Sequence, residues 1–382
     1  MGLSVLFVTR DHGRSLGRAL DSAARVASEV VVADTGSTDE TVPLAAARGA
    51  KVVRVAWADD FAAALNAGLA ACSQDWVLSL NPDEELDPGA ADALGEALAR
   101  PGVFAYRLPV ADQLAPDSPA LGPPVPELRL FRADPRARFR GRLHPALDPS
   151  AEELAAARGQ TLAAANVSVR KHAYLSEPTP GKMRWVARLL EAELHDRPGQ
   201  LHYEIELGRN LVWLNDPRGH EVLGAAAEKV RLTADAPAPP VTTVASLLEY
   251  LLAVAPEVRR GPIDRDAARQ LAEQWFPQSP PVVWALATER FRAGDHAAAA
   301  GYLERLVEMG RVGRYDPAGG RFRPEIIGPA AASNLGLCYL HLGRWDAAKG
   351  CFGGLVGHPD YRDDALKGYA QAEQQRRPGA TP

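Results

Sequence analysis

Three short stretches in the first hundred residues hold the side chains whose types and spacing could do chemistry. In Asp34-Thr35-Gly36-Ser37-Thr38-Asp39, Asp34 can accept from a base imide or a sugar hydroxyl. Gly36 lets the backbone turn sharply and approach a ligand, and Ser37 with Asp39 can cap a following helix. Trp57-Ala58-Asp59-Asp60-Phe61, followed by Asn66, sets two adjacent acids at a turn into a helix. Leu78-Ser79-Leu80-Asn81-Pro82-Asp83-Glu84-Glu85 runs an apolar strand directly into an acidic turn. A carboxylate held at a buried strand end is placed to bind a hard divalent ion and, through it, a diphosphate. Taken singly, the first stretch also reads as an ordinary strand-to-helix turn and the third as a solvated acidic turn.

The elements that must position these residues follow from periodicity. Ser4–Thr9, Glu29–Ala33, Lys51–Val55 and Trp76–Leu80 read as short apolar strands, and Leu16–Val26, Thr41–Ala47 and Asp60–Ala71 as helices between them. Strands alternating with helices predict a mostly parallel sheet covered on both faces, with ligands beyond the carboxyl ends of the strands. Thr9-Arg10-Asp11, Asp34 and Asn81–Glu84 fall at those ends. Pro109–Pro126 lacks periodicity and reads as a surface loop beside the site; Glu127–Phe131, Arg138–Leu143 and Ala165–Lys171 read as later strands.

Beyond Lys182 strand signals vanish, so the boundary is set at 175/176, beside the turn-rich Ser176–Gly181, giving domains 1–175 and 176–382. Leu335-Gly336, Tyr339, Gly343, Ala348, Phe352 and Leu355 carry the small/large spacing of a tetratricopeptide helix pair. Leu286-Ala287, Gly294, Ala299 and Leu303 form a weaker copy, Leu207-Gly208 through Ala226 a degenerate one, and Arg311–Pro329 an insert. The aromatic positions of these helices, Trp284, Phe291, Tyr339, Trp345 and Phe352, read as core.

Composition narrows the function classes. A net charge of −5 with a pI near 6.0 argues against a nucleic-acid backbone or an anionic membrane as the main partner. Three cysteines without C-x-x-C spacing support neither a disulfide framework nor a zinc knuckle. No signal peptide and no apolar run of membrane-spanning length is evident, so a cytoplasmic protein is expected.

With its motifs in order, the first part of the chain, over roughly 3–175, resembles the family 2 glycosyltransferases, inverting enzymes of the GT-A nucleotide-sugar-binding fold. It is most similar to the subgroup reading V-D-T-G-S-T-D, then W-x-D-D-F-S-x-A-R-N, then L-D-A-D-E, often with tetratricopeptide repeats behind. The resemblance implies an α/β GT-A domain followed by an all-α repeat domain. It implies metal-assisted transfer of a sugar from a nucleoside diphosphate donor, UDP-sugar first, to a protein, glycan or other acceptor. Thr9, Arg10 and Asp34, with Gly36 and Ser37, would then form a base and ribose pocket, with Asp60 and Asn66 nearby and Asn81 at the first D-x-D position. Asp83 would ligate Mn²⁺ or Mg²⁺, and His172, in Lys171-His172-Ala173-Tyr174, resembles the family's His-x-Tyr segment and would complete the metal or diphosphate site. Glu84, Glu127 and His144 are the candidate bases.

Three positions depart from the family pattern. Asn81 replaces the first Asp of D-x-D, Leu65 replaces the Arg before Asn, and Pro145 replaces the Glu of G-x-I-H-E. They motivate an alternative: a weakened or inactive transferase-like scaffold that binds a protein partner through its repeats. Arg136, Arg138, Arg140 and Arg142 alternate with other residues, so on a strand they would line one face, either holding a diphosphate or simply solvated.

Overall fold

The computed structural model describes residues 1–115, 118–172, 179–233, 236–238, 243–254, 265–317 and 320–376. The described chain forms two compact units, Met1–Gly199 and Gln200–Pro382.

The first unit is built on a nine-stranded mixed sheet. β1 (Leu3–Thr9), β2 (Glu29–Asp34), β3 (Lys51–Arg54) and β4 (Trp76–Leu80) are joined by α1 (Leu16–Ala23), α2 (Thr41–Ala47) and α3 (Phe61–Leu69). The strands run parallel, as predicted, and stand in the order β3-β2-β1-β4. β1 shows why. Leu3, Val5 and Phe7 enter one apolar core with Leu16, Ala19, Leu20 and Ala23 of α1, while Leu6 enters a second core with Val31 and Val77. A strand buried on both faces needs helices on both sides.

The sheet continues through β5 (Glu84–Leu86), β6 (Val103–Asp112), β7 (Val125–Arg132), β10 (Thr161–Ala164) and β11 (Val169–Lys171), with α4 (Ala90–Ala99) and α5 (Ala151–Ala156) packed on it. β7 is antiparallel to both β4 and β6, and β5 is antiparallel to β11, so the parallel half passes into a mixed one. The Pro109–Pro126 stretch is a loop only in its middle. β6 runs through Pro109 to Asp112 and pairs Pro109 with Pro126 of β7, a register at which neither residue has an N–H to donate. Arg138–Leu143 is not one strand. Only β8 (Phe139–Arg140) pairs, with β9 (Ala146–Leu147), because Gly141 (φ 114°) and His144 (φ 47°) turn the chain between them. The strand read over Ala165–Lys171 likewise reduces to β11.

The final helix of this unit, α6 (Pro180–Asp196), belongs with the sheet although the sequence reading begins the helical half before it. The Arg142 N–H donates to Glu193 Oε2 at 2.9 Å, and its guanidinium pairs with Asp196 at 2.6 Å. Both acids lie on α6. Residues 173–178, which include Ala173-Tyr174 and the first half of the turn segment Ser176–Gly181, lie outside the described residues.

The second unit is helical throughout its described residues. α7 (Leu201–Trp213) pairs with α8 (Arg218–Arg231), α11 (Pro280–Arg292) with α12 (His296–Val312), and α13 (Pro329–His341) with α14 (Trp345–Gly353). α9 (Thr243–Ala253), α10 (Arg265–Trp275) and α15 (Arg362–Arg376) complete it. Each pair turns through a left-handed residue: Asn215 (φ 58°), Gly294 (φ 78°) and Gly343 (φ 71°). Small residues set the approach, since a Cβ on Gly208 would meet Leu223 at 2.6 Å. The Phe352 ring lies so close to both Gly336 and Gly368 that a Cβ on either would stand 2.7 or 2.5 Å from it. Tyr339 and Phe352 are buried in the core, with Trp284, Phe291 and Trp345 packed against it. No helix among the described residues is long and apolar enough to cross a membrane.

Candidate functional site

The parallel register brings the predicted polar strand ends together. Thr9 lies opposite Asp34, and Phe7 opposite Leu80, so β2, β1 and β4 deliver Asp34, Thr9 and Asn81 side by side at one edge of the sheet. The Thr9 hydroxyl is buried with no partner among the described residues, while its carbonyl accepts from the Thr35 N–H at 2.9 Å and hydroxyl at 3.1 Å. Asp34 is 2% exposed, and its carboxylate accepts from the N–H groups of Gly36 and Ser37 at 3.2 Å. Gly36, at φ 100°, holds a conformation that a side chain would strain. An ionised carboxylate has about four lone-pair sites, so Asp34 shapes the turn and retains accepting capacity.

A second loop is fastened over this turn. The Asp11 N–H donates to Ser37 Oγ at 2.9 Å, and Asp11 Oδ1 accepts from the Thr38 N–H at 2.7 Å. The Gly13 N–H donates to Asp39 Oδ2 at 2.9 Å. Hydrogen bonds from Thr41 and then Gly13 hold the Asp39 carboxyl below its ordinary range. Arg10 stands exposed at the head of this loop. Sequence reading names Asp11 only as part of a polar strand end; its left-handed backbone (φ 54°) and cross-loop bonds emerge from the fold.

At the end of β4 the acidic stretch is neither solvated nor a simple turn. Glu84 and Leu86 point into the core while Glu85 does not, because β5 pairs with β11. The Glu84 side chain is 0% exposed. Its Oε2 accepts from the Asn81 N–H at 2.8 Å, and its Oε1 accepts from Asn81 Nδ2 at 2.8 Å and Arg129 Nη2 at 2.7 Å. Arg129 also bridges Glu127 at 2.7 Å, which leaves Glu127 31% exposed at the rim. Nothing in the sequence pairs Arg129 with Glu84; only the β4–β7 pairing brings them together. Asp83 is half-buried, and its carboxylate has no bonded partner among the described residues. Its carbonyl accepts from the His172 N–H at 2.8 Å.

The His172 ring lies 2.9 Å from Glu85 through Nε2, with Nδ1 buried and unpartnered. Among the described residues no three His, Cys, Asp or Glu side chains converge to hold a metal ion, so Asp83, Glu85 and His172 do not form a ready-made set. The donor set present is one open carboxylate, which does not fit a metal held by protein side chains alone.

The Trp57–Asn66 stretch is largely occupied in joining segments. Asp60 caps α3 by accepting from the Ala63 N–H at 3.0 Å, and Trp57 Nε1 donates to Asp59 at 2.8 Å. Trp57, Phe61 and Trp185 of α6 form a ring cluster with centroids 4.9 to 6.4 Å apart. Asn66 closes a reciprocal pair with Phe139: Nδ2 donates to its carbonyl and Oδ1 accepts from its N–H, both at 2.8 Å. The four-arginine face does not form. Arg136 pairs with Asp134, Arg140 with Asp148 and Arg142 with Asp196, while Arg138 donates to the Pro135 and Ala137 carbonyls. Arg136, with help from Arg158, holds the Asp134 carboxyl far below its ordinary range. His144 is exposed on the Gly141–Pro145 turn.

Residues 4–117 match the family described as Glycosyl transferase family 2. A TPR repeat-containing protein of Synechococcus elongatus is 38% identical over 149 residues, 39% of this chain and 36% of that protein. An uncharacterized glycosyltransferase of Rickettsia bellii is 34% identical over 92 residues, 24% of this chain and 31% of that protein. The chain spans about a third of the length of these curated relatives, 36% and 31%. Among solved structures, glucosyl-3-phosphoglycerate synthase from Mycobacterium tuberculosis in complex with Mn²⁺, UDP-glucose and glycerol 3-phosphate is 27% identical over 28% of this chain and 44% of that one, with a TM-score of 0.25. Mannosyl-3-phosphoglycerate synthase from Rubrobacter xylanophilus is 15% identical over 51% and 74% of the two chains, with a TM-score of 0.35.

Proposed function

We propose, from the premise that residues 4–117 are a glycosyl transferase family 2 domain, that this chain moves a sugar from a nucleoside diphosphate donor, UDP-sugar first, to an acceptor with inversion. The observation that carries the reading is the convergence of Thr9, Asp34 and the Asn81–Asp83 turn at the ends of three adjacent parallel strands. Such a strand-end crevice is where open α/β sheets bind ligands. There the buried Thr9 hydroxyl and the remaining acceptor sites of Asp34 suit a base and ribose, with Arg10 exposed above them to meet phosphate.

Asp83 is the group nearest in role to the family's metal-binding carboxylate. Among the described residues it stands without a preassembled set of side-chain ligands. Of the three candidate bases, Glu84 is enclosed and accepts three hydrogen bonds, so it is poorly placed to take a proton from an acceptor. Glu127 at the rim and His144 on its exposed turn are the accessible candidates for the proton transfer. The helical unit is proposed to be of the tetratricopeptide type, supported by its small-residue helix pairs and by the name of the Synechococcus relative.

Calorimetric titration of UDP, GDP and dTDP, with and without Mn²⁺, into the full chain and its Asp83→Ala variant tests the reading. Micromolar UDP binding in Mn²⁺ that weakens by about tenfold or more in Asp83→Ala is expected, since the substitution removes the open carboxylate that would hold the ion beside the diphosphate. Failure of all three nucleotides to bind under every condition would overturn the donor site.

A further inference from the structure

Between the donor turn and the turn that carries His144 stands a cluster of three aromatic rings that the donor site does not use. The Val55 N–H donates to the Asp34 carbonyl at 2.8 Å, so the segment after β3 starts beside the donor turn and reaches Trp57 two residues later. Asp59, in a left-handed conformation (φ 54°), then turns the chain into α3. The Phe61 N–H donates to the carbonyl of Arg142 at 3.0 Å, two positions before His144. Trp185 of α6 completes the cluster from a position outside the family-matched residues 4–117.

All three rings are half-buried, so each keeps part of its surface in water. Trp57 is held by its Nε1 bond to Asp59, whereas the Trp185 indole N–H makes no hydrogen bond among the described residues and is not enclosed. Asp59 Oδ2 lies 3.5 Å from Arg188, about one turn along α6 from Trp185, and the two side chains are 42% and 63% exposed. With one bond to Trp57 and one loose contact to Arg188, the carboxylate keeps about half of its roughly four acceptor sites, and the guanidinium keeps most of its donors. Aromatic surface with a few convergent polar groups is the make-up of a small-molecule site. An acyl chain or an apolar peptide side chain laid on these rings would take the ion pair and the indole N–H out of water unmatched, which costs free energy. A pyranose matches both, with a face of C–H groups to cover apolar ring surface and hydroxyls that bond to carboxylate, guanidinium and indole N–H alike.

We propose that Trp57, Phe61 and Trp185, with Asp59 and Arg188, form a carbohydrate subsite that seats a pyranose ring of the acceptor, and that Trp185 is its platform. A ring seated there is bordered through Val55 by the donor turn and through Arg142 by the turn that carries His144. As an acceptor subsite it rests on the donor-site reading above.

The test titrates the methyl glycosides of glucose, galactose, mannose and N-acetylglucosamine into the full chain in Mn²⁺, with and without UDP, and reads binding by saturation-transfer NMR. At least one glycoside is expected to bind beside UDP, with saturation strongest at its ring C–H protons. Trp185→Leu keeps an apolar side chain against Trp57 and Phe61. It is expected to weaken that glycoside by about fivefold to tenfold, the loss of one aromatic contact, while calorimetric UDP affinity stays within about threefold. Arg188→Gln removes an exposed ion pair that contributes little to stability, so it folds, and it is expected to weaken the glycoside by about threefold or more. This second variant decides the matter if Trp185→Leu fails to fold. The subsite is overturned if a chain that binds UDP binds none of the four glycosides, or if either folded variant binds the glycoside as tightly as the starting protein. If the unsubstituted chain binds no nucleotide, the donor-site reading falls and takes the acceptor role with it. Glycoside binding that still depends on Trp185 then locates the failure in the donor site and not in the rings.

Discussion

Asn66 offers the sharpest separation between a residue that contacts the donor and one that builds the site. The family resemblance sets it near the donor, yet both ends of its amide are bonded to the Phe139 backbone at 2.8 Å. Asn66→Ala deletes two hydrogen bonds worth about 1 kcal/mol each and strands a half-buried N–H and C=O, a further ~1 kcal/mol, for a total of about 3 kcal/mol. For a unit of this size each kcal/mol moves the unfolding midpoint by roughly 2–4 °C, so a drop of about 6–12 °C is expected. Asn66→Asp should fare no better: it keeps an acceptor for the Phe139 N–H but turns a negative oxygen toward the Phe139 carbonyl. Differential scanning calorimetry of the full chain measures the shift, and UDP titration below the transition measures the site. Affinity should stay within about threefold, because both polar atoms of the Asn66 amide are already engaged by the Phe139 backbone. An unchanged midpoint together with a tenfold loss of UDP affinity would refute the reasoning and return Asn66 to the pocket.

In the helical unit, burial pushes the Glu249 carboxyl up to about 7 despite the opposing pull of Arg209. Between about pH 4.5 and 7 the folded state then holds more protons than the unfolded one, so stability falls as pH rises through that window and the full penalty, about 3 kcal/mol, is present above it. Glu249→Gln should flatten this slope and raise stability at pH 8 but not at pH 4.5, as urea unfolding at the two pH values would show; equal slopes in both proteins would refute it. Gly336→Ala should cost about 1–3 kcal/mol of that unit's stability, since the new methyl meets the Phe352 ring at 2.7 Å while Gly368 leaves the ring no room to retreat. Its check is thermal unfolding, with Phe352→Leu expected to absorb part of the cost when combined with it.

The four parallel strands are legible in the sequence because each is a short apolar run ended by polar or turn-forming residues, a signal confined to a few neighbours. The same locality explains the misses. β6 carries Pro109 and ends at Asp112, which read locally as loop, and only its pairing with β7 shows the strand running on through Pro109 opposite Pro126. The arginines from 136 to 142 alternate as a strand would, but the left-handed backbone at Gly141 and His144 breaks the run, and each cation turns to its own partner. α6 reads as the start of the helical half because its apolar spacing is ordinary; Glu193 and Asp196 on it are claimed by Arg142, more than fifty positions earlier.

The candidate site divides along the same line. Residue types together with the family resemblance mark which side chains have the chemistry to meet a nucleotide sugar: Asp34, Asn66, Asn81, Asp83, Glu84 and Arg142 all qualify. Which of them remain open depends on partners 45 to 73 positions away in the chain. Glu84 meets Arg129, Asn66 meets Phe139 and Arg142 meets Glu193, and each contact turns a candidate ligand into part of the frame. Asp83, the Asn81 amide oxygen, the Thr9 hydroxyl and the unfilled acceptor sites of Asp34 are what the frame leaves exposed to chemistry or without a partner. The loss of the first D-x-D aspartate therefore does not by itself argue for a silent site. With Glu84 buried below and sharing Arg129 with Glu127, the Asn81 amide donates to Glu84 and still offers an oxygen to a ligand.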